Sequence, residues 1–462
     1  MFDKKVYETR RNNLRKRMNS GLVYMPGNID SPMNYRANQL PFRQDSNFLY
    51  FFGIDKPGFS GLIDLDEGKD YLFGKDFDID DIIWMGHMPT VPELGKLVGA
   101  EGIGVSNELS KVLKTAINRG KKVHYLPPYK ADTVLEIERL LGIKASFVNE
   151  FVSEDLIRAV VELRNIKSDL EVKEIEKALD ISCDMLNMIL INTKPGILEQ
   201  KLVGKMEGIL SQTGSHYSFP IILSKDGQTL HNHNHNNVLK DGDLLLIDSG
   251  AESPEYYASD ITRTYPVSGK FTEKQRDIYQ IVLDSQEKAI SMIRAGVKNK
   301  DIHIYAAEVI ASGLKDLGFL KGNLSDIVQN GAHALFFPHG LGHMMGLDVH
   351  DMEGLGENFV GYDKSIKRSD QFGLAFLRLA KELEPGNVLT VEPGIYFIPD
   401  LIQMWKKENK LSEFINYSKA EEYIGFGGIR IEDDILVQKD GAKVLGKLIP
   451  KSIEDIEEVM RT

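Results

Sequence analysis

The chain has 462 residues, 42% of them hydrophobic and 27% charged, and a net charge of −12. Such a length favours two or three domains, because single cores stop growing well before it. The acidic balance argues against a nucleic-acid footprint, which needs a clustered basic face. The one cysteine, Cys183, rules out an intrachain disulfide and reads as a small core residue.

The opening MFDKKVYETRRNNLRKRMNS lacks the apolar stretch of a signal peptide and reads as the start of a solvated helix. No run reaches the apolar length of a membrane span, so a cytoplasmic protein without a membrane partner is expected. From residue 21 onward, GLVYMPG, FLYFFGI, GLIDLD and DYLFG are apolar runs bounded by Gly, Pro or Asp, and are predicted as strands. SNELSKVLKTAI and ADTVLEIERLLG have helical spacing, so this part is expected to be an α/β domain.

A helix-rich stretch follows. Ser168 and Glu171 form a capping-box pattern, Val172, Ile175, Leu179, Ser182 and Leu186 recur at helical spacing, and Pro195-Gly196 ends the run. A second helix is predicted from Thr272, with Gln275 three positions on, to about Gly296, and a third over 301–317. DLLLIDSG, SDITRTYPV, VLTVEPGIYFI and GIRIEDDILV read as strands. No internal repeat is visible, although helix pairs separated by strands occur in both halves. The segments 352–385 and 399–425, the latter polar and containing Trp405, read as insertions of the substrate-shaping kind. The expected class is α+β, with an N-terminal α/β domain over 1–160 and a catalytic domain over 161–462.

Chemistry concentrates in a few places. DLLLIDSG carries an apolar run onto Asp248, a way to present a ligand from a rigid element, although in isolation an Asp opening a turn is the better reading. In SDITRTYPV the alternation puts Asp260, Thr262 and Thr264 on one side, so a hairpin would bring both carboxylates together. FPHGLGHMMGLDVHD holds His339, His343 and His350 within twelve positions, out of eleven histidines in the chain. Glycines between them let backbone approach a site closely. Glu392 lies in an apolar strand pattern before Pro393-Gly394, and Glu432 follows Ile429 and Ile431 in alternation. Buried acids are rare unless paired or bound to metal. Asp433 and Asp434, by contrast, read as solvated edge-strand acids.

Four carboxylates and an imidazole are a hard donor set, suited to manganese, cobalt, iron(II) or zinc. Their charge is too great for one divalent ion and is matched by two. The usual work of such a pair is to generate hydroxide near neutral pH and to polarise a carbonyl. In HNHNHNN, residues 231–237, a polar-loop reading suits His233 and His235 better than a metal site.

With LIDSG, SDITRTYPVSGKFT, HGLGHMMGLDVHD, TVEPGIYF and GFGGIRIEDD, and PFRQDSNFLYFFGI ahead of them, the chain resembles the pita-bread metallopeptidases of the proline-specific branch, prolidase and aminopeptidase P. The resemblance spans the chain. It implies two divalent ions, manganese first, held by Asp248, Asp260, His343, Glu392 and Glu432. Glu392 would take the proton of the bridging water. It also implies that His350 contacts substrate at the scissile bond, that His231 and His339 line the site, and that Arg430 supports it beside the last ligand. Asp248 and Asp260 are twelve positions apart, one more than the family pattern, with the extra residue in AESPEYY.

The substrates implied are peptides with proline second, whose bond to proline is a tertiary amide with no N–H for a backbone-reading peptidase to grip. Arg378 matches the arginine that prolidases use for the free carboxylate of a dipeptide, a natural bidentate partner. The expectation leans to an Xaa-Pro dipeptidase, with an Xaa-Pro aminopeptidase as alternative, working as a homodimer. A non-catalytic module on the same scaffold is the remote alternative, because such relatives lose ligands and here all five stand.

Overall fold

The computed structural model describes residues 1–105 and 107–461. The chain forms two compact units, one of Met1–Arg164 with Gly354–Phe359, the other of Asn165–Glu353 with Val360–Thr462. No helix among the described residues is long and apolar enough to cross a membrane.

The first unit is built on a mixed five-stranded sheet of β1 (Leu22–Pro26), β2 (Ser60–Asp64), β3 (Asp70–Phe73), β4 (Glu101–Ile103) and β5 (Val123–His124), in the order β4-β3-β2-β1-β5. Leu22, Tyr24, Leu62 and Phe73 pack on Tyr125, Ile137, Leu140 and Val148 beneath it. Two expectations fail here. The opening segment is a helix, Lys4–Arg15, but it is not simply solvated. Arg11 is fully buried, donating to the carbonyls of Phe51 and Val98 (both 2.7 Å) and pairing with Asp70 at 2.8 Å. FLYFFGI is not a strand but part of the helix Ser46–Phe52. Asp45 caps its start by accepting from Phe48 N–H, and Gly53, at φ 65°, closes its end in the left-handed conformation. A wholly buried apolar run carries no period, so the cap and the glycine decide its form.

The second unit repeats one plan twice. The helix Asp169–Asn192 is capped by Glu171, which accepts from Ser168 N–H at 2.9 Å and leads through a turn to the helix Glu199–Thr213. The antiparallel sheet β6 (Ile222–Ser224), β7 (Leu244–Ser249) and β8 (Ile261–Pro266) follows. The helix Glu273–Met292, boxed by Thr272 and Gln275, then leads to the helix Asn299–Asp316 and to strands β9 (Val388–Val391) and β10 (Gly394–Tyr396), β11 (Gly428–Arg430), β12 (Asp433–Gln438) and β13 (Gly441–Val444). The residue before each second helix makes the same isolated bridge, Leu198 to Val238 and Lys298 to Glu382. The repeat is one of backbone plan, which is why identity along the chain does not betray it.

VLTVEPGIYFI and GIRIEDDILV are each two strands. β9 pairs with β12 and β10 with β11, and both partners break between, at Glu392-Pro393 and Ile431-Glu432. Pro393 has no N–H to donate to a ladder. The backbone N–H groups next to the break turn elsewhere, that of Glu392 to Leu341 O (2.8 Å) and that of Glu432 to Thr262 O (3.1 Å).

The polar segment 399–425 also differs from expectation. It folds into the helices Pro399–Lys407 and Tyr417–Glu421 and buries Trp405, 1% exposed, edge-on to Phe372 with ring centroids 5.5 Å apart. Trp405→Ala is therefore expected to cost about 3–5 kcal/mol, as for large aromatics removed from a core. Urea denaturation measures it, and a loss near zero would return the segment to the surface-loop reading.

Candidate metal centre

β7 delivers Asp248 opposite Thr262 of β8, with Asp260 two residues before it. The connection is tight at its base. A Cβ on Gly250 would lie 1.8 Å from Ser259 O, so only glycine fits. Further out, Glu252 bridges Ala258, and Tyr256 takes a left-handed φ of 66°. The twelve-position spacing between the two acids is spanned by that loop, and Asp260 lines the site. Its backbone N–H donates to Asp434 (3.1 Å) and its Oδ2 lies 3.4 Å from His343 Nε2.

The HGLGH segment runs beside β9. Thr390 N–H donates to His343 O at 3.0 Å, and Thr390 Oγ1 accepts from His343 N–H at 3.2 Å. Gly342 allows this approach, because a Cβ there would meet Thr390 O at 1.9 Å. His343 Nδ1–H donates to Met344 O at 3.1 Å, which leaves Nε2 bare. That lone pair faces Asp260 at 3.4 Å and Glu392 Oε1 at 3.7 Å.

A lone pair directed at carboxylate oxygens is repulsive unless a cation lies between them, and an imidazole anchored through its other N–H is the usual posture of a metal ligand. Three further oxygens, Asp248 Oδ1, Asp260 Oδ1 and Glu432 Oε1, are buried without a hydrogen-bond partner. Burial, then the neighbouring acids, pushes the carboxyls of Asp260 and Glu432 well above the usual carboxylate range. Burial also raises Glu392 to about 8 against the pull of Arg430, and drives His343 well below the imidazole range. Asp260, His343 and Glu432 can offer ligand atoms within 4.8 Å of one another. Asp248 and Glu392 line the same cavity, of about 710 Å³. The donor set fits divalent cations.

The remaining residues singled out in the sequence also line this cavity: His231, His339, His350, Arg378 and Arg430. Arg430 donates to Asp248 Oδ2 (2.5 Å), to Tyr396 OH (2.9 Å) and to Thr262 Oγ1 (3.2 Å). Because a guanidinium only donates, the Tyr396 proton goes to His339 Nε2 at 2.8 Å, and His339 Nδ1–H goes to Gly340 O at 2.8 Å. Burial, then Arg430, lowers His339 to about 3, so it is neutral. Both of its nitrogens are engaged within the chain, so it orients Tyr396 and does not present an N–H to the cavity.

His233 is an exposed loop residue at the rim of the cavity beside His231, and His235 is structural, Nδ1–H donating to Leu223 O at 3.0 Å. Asp433 and Asp434 are not solvated. Asp433 accepts from Arg263 (2.7 Å), Gln286 (2.8 Å) and Lys451 (2.8 Å); burial works against its charge, but Arg263 and Lys451 prevail and hold it at about 2. Asp434 supports Asp260 from behind. A helix and a third strand cover the strand taken for an edge. Sequence reasoning missed Tyr396, Glu353 and the aromatic wall of Phe219, Phe372 and Phe376. Of these only Tyr396, inside TVEPGIYF, had a local signal.

Residues 173–439 match metallopeptidase family M24, and residues 7–125 match the aminopeptidase P N-terminal domain. The chain is 32% identical over 451 residues to the human Xaa-Pro dipeptidase, covering 95% of this chain and 88% of that protein. It is also 32% identical over 458 residues to a probable Xaa-Pro aminopeptidase of Uncinocarpus reesii, covering 96% and 90%. Among solved structures it is similar to zinc-substituted E. coli aminopeptidase P in complex with product, with a TM-score of 0.82 and 28% identity over 100% of this chain and 98% of that one. The expected α+β class, an N-terminal domain followed by a pita-bread domain, is the one found.

The crowding of acids has a measurable consequence. Folding raises Glu392 from the ordinary carboxylate range to about 8, so the folded, metal-free chain holds a proton that the unfolded chain releases. Stability is greatest below the unfolded value of about 4.3 and falls as pH rises through the folded one. The thermal midpoint of chelated protein is expected to drop between pH 5 and about 8, and added divalent metal to remove the slope. Asp260→Asn should raise the midpoint of chelated protein and lower that of metal-loaded protein. A flat profile in chelator would mean that the acids do not share one buried site.

Proposed function

The chain belongs to metallopeptidase family M24 and is a metal-dependent Xaa-Pro peptidase, and from that premise we propose that it acts as an Xaa-Pro dipeptidase. The observation that carries this reading is Arg378, which lines the metal cavity with its guanidinium against His350, Nη1–H donating to Nε2 at 3.0 Å. A guanidinium has five donors in a planar fork and can take the carboxylate of a dipeptide bidentately. A full positive charge on the wall of the metal cavity suits a substrate that ends just beyond proline.

Asp248, Asp260, His343, Glu392 and Glu432 would hold two divalent ions, manganese by preference for an oxygen-rich set. When bound, the ions supply Lewis acidity, making water nucleophilic near neutral pH and polarising the substrate carbonyl. Glu392 is the most open of the acids to the cavity, its side chain 19% exposed, and receives the proton lost by the attacking water. It returns that proton to the proline nitrogen as the C–N bond breaks, since a secondary amine leaves only when protonated. His231 faces the substrate, and His350, its ring nitrogens turned to Arg378 and Glu353, lines the cavity beside it. Arg430, spanning Asp248, Thr262 and Tyr396, holds β7, β8 and β10 in register around the centre. Phe219, Leu230 and Ile398, packed on Ile222 and Tyr396, form an apolar wall for the pyrrolidine ring. A reducing cytoplasm and a homodimer belong to the same proposal; the one cysteine is buried and unbridged, and symmetric dimers are the commonest assembly.

The second reading is an Xaa-Pro aminopeptidase acting on longer peptides. The whole-chain likeness to aminopeptidase P structures and the partial exposure of Arg378 favour it.

Turnover of an Xaa-Pro dipeptide against the same peptide extended by one residue separates the two. The dipeptide is expected to be preferred, and equal or better turnover of the extended peptide would overturn the dipeptidase reading. Arg378→Ala is expected to lower kcat/KM for the dipeptide by about tenfold to a hundredfold, the worth of a charged hydrogen-bonded pair, and to spare the extended peptide.

A further inference from the structure

Arg378 and His350 do not stand alone. Three residues beyond His350, Glu353 folds back so that its Oε2 lies 2.6 Å from His350 Nδ1 and 3.6 Å from Arg378 Nε. The three side chains close a triangle at the wall of the metal cavity, and nothing in the reaction as derived uses the carboxylate.

The turn that creates this contact is heavily constrained. Glu353 N–H donates to His350 O at 3.2 Å, and Met352 between them is buried at a φ of 61°, which a side chain adopts only under constraint. Asp351 is tied down on its other side by a buried ion pair with Lys167 at 3.0 Å and by donating its N–H to Met344 O at 2.9 Å. Strained backbone persists where the surroundings over-determine it, and here the outcome is one carboxylate held over one imidazole.

The direction of the bonds follows from their chemistry. Arg378 Nη1–H can only donate, so His350 Nε2 accepts and the ring proton sits on Nδ1, the nitrogen that Glu353 Oε2 approaches as a close ion-pair contact out of line with its N–H. The Glu353 carboxyl is held below its usual range, first by this contact with His350, and stays charged. Without an acceptor at Nδ1 the imidazole can move its proton to Nε2, and two donors would then oppose each other where Arg378 now meets His350.

We infer that Glu353 is a positioning residue for substrate specificity: by holding the His350 proton on Nδ1 it keeps Nε2 an acceptor and so aims the Arg378 guanidinium at the place of the substrate carboxylate. The inference rests on the reading of Arg378 given above. Glu353 touches no reacting atom, and its effect is on how the dipeptide is held. Gln keeps an oxygen that can accept from Nδ1–H, whereas Ala removes it.

Glu353→Gln and Glu353→Ala in the full-length enzyme test this in two ways. Nitrogen NMR of His350, in chelated and in zinc-loaded protein, is expected to show the Nδ1–H tautomer in the parent and Gln forms and loss of that tautomer's dominance in the Ala form. In steady-state kinetics, Ala is expected to raise KM for the Xaa-Pro dipeptide by about tenfold, the worth of one charge-assisted hydrogen bond, with kcat changed far less and Gln close to the parent. An unchanged tautomer in the Ala form, or a Gln form as impaired as Ala, would overturn the role of Glu353 even if Arg378→Ala proves selective for dipeptides. The converse result, the expected tautomer change with an unselective Arg378→Ala, would instead overturn the carboxylate reading of Arg378 and leave Glu353 only as the anchor of His350.

Discussion

Acids buried against a bare imidazole lone pair cost free energy that only positive charge offsets. That constraint governs the second unit. Asp260 and Glu432 have oxygens without partners, His343 turns its unprotonated nitrogen toward them, and Arg430 reaches the set through Asp248. The arrangement is intelligible as a cradle for divalent ions. Everything around it keeps the acids in place despite their mutual repulsion.

Rigidity comes from breaking sheets at chosen points. The ladder of β9 through β12 stops at Pro393, and there Glu392 and Glu432 leave the strand direction while their backbone donors are taken by Leu341 and by Thr262 of the other half. The same Thr262 accepts from Arg430 and donates its hydroxyl to Glu432 at 2.6 Å. Two half-units of similar plan thus meet at a polar seam in which the buried acids are held by backbone as well as by side chain. Behind it, Asp433 with Arg263 and Lys451, and Asp434 against Asp260, carry charge balance deeper into the core. Such a seam answers the demand that a catalytic constellation sit on strands and be held by a second layer of bonds.

Proline specificity follows a different logic. A substrate amide with no N–H cannot be gripped through backbone pairing, so recognition falls to shape and to the ends of the molecule. The apolar wall around Phe219 and Ile222 and the charged corner of Arg378, His350 and Glu353 are suited to those two tasks. The corner belongs to an irregular segment, where function commonly resides because loops can vary without disturbing the scaffold.

The sequence by itself determined the segments that carry the candidate ligands, and most helices. Asp248 and Glu392 stand at a strand end and a break marked by Gly or Pro, Asp260 and Glu432 stand just ahead of β8 and β12, and His343 sits among glycines; such punctuation survives in one dimension because it reflects local backbone demands. Ser168 with Glu171, and Thr272 with Gln275, marked helix starts for the same reason. Only the tertiary structure decided what depends on neighbours far along the chain. FLYFFGI is helical because of its caps, Trp405 is buried because Phe372 comes to meet it, and Asp433 is buried because Arg263 and Lys451 arrive from other elements. Tyr396 and Glu353 gain their meaning from partners 34 and 25 positions away, Arg430 and Arg378, and no local pattern in a sequence encodes a contact of that kind.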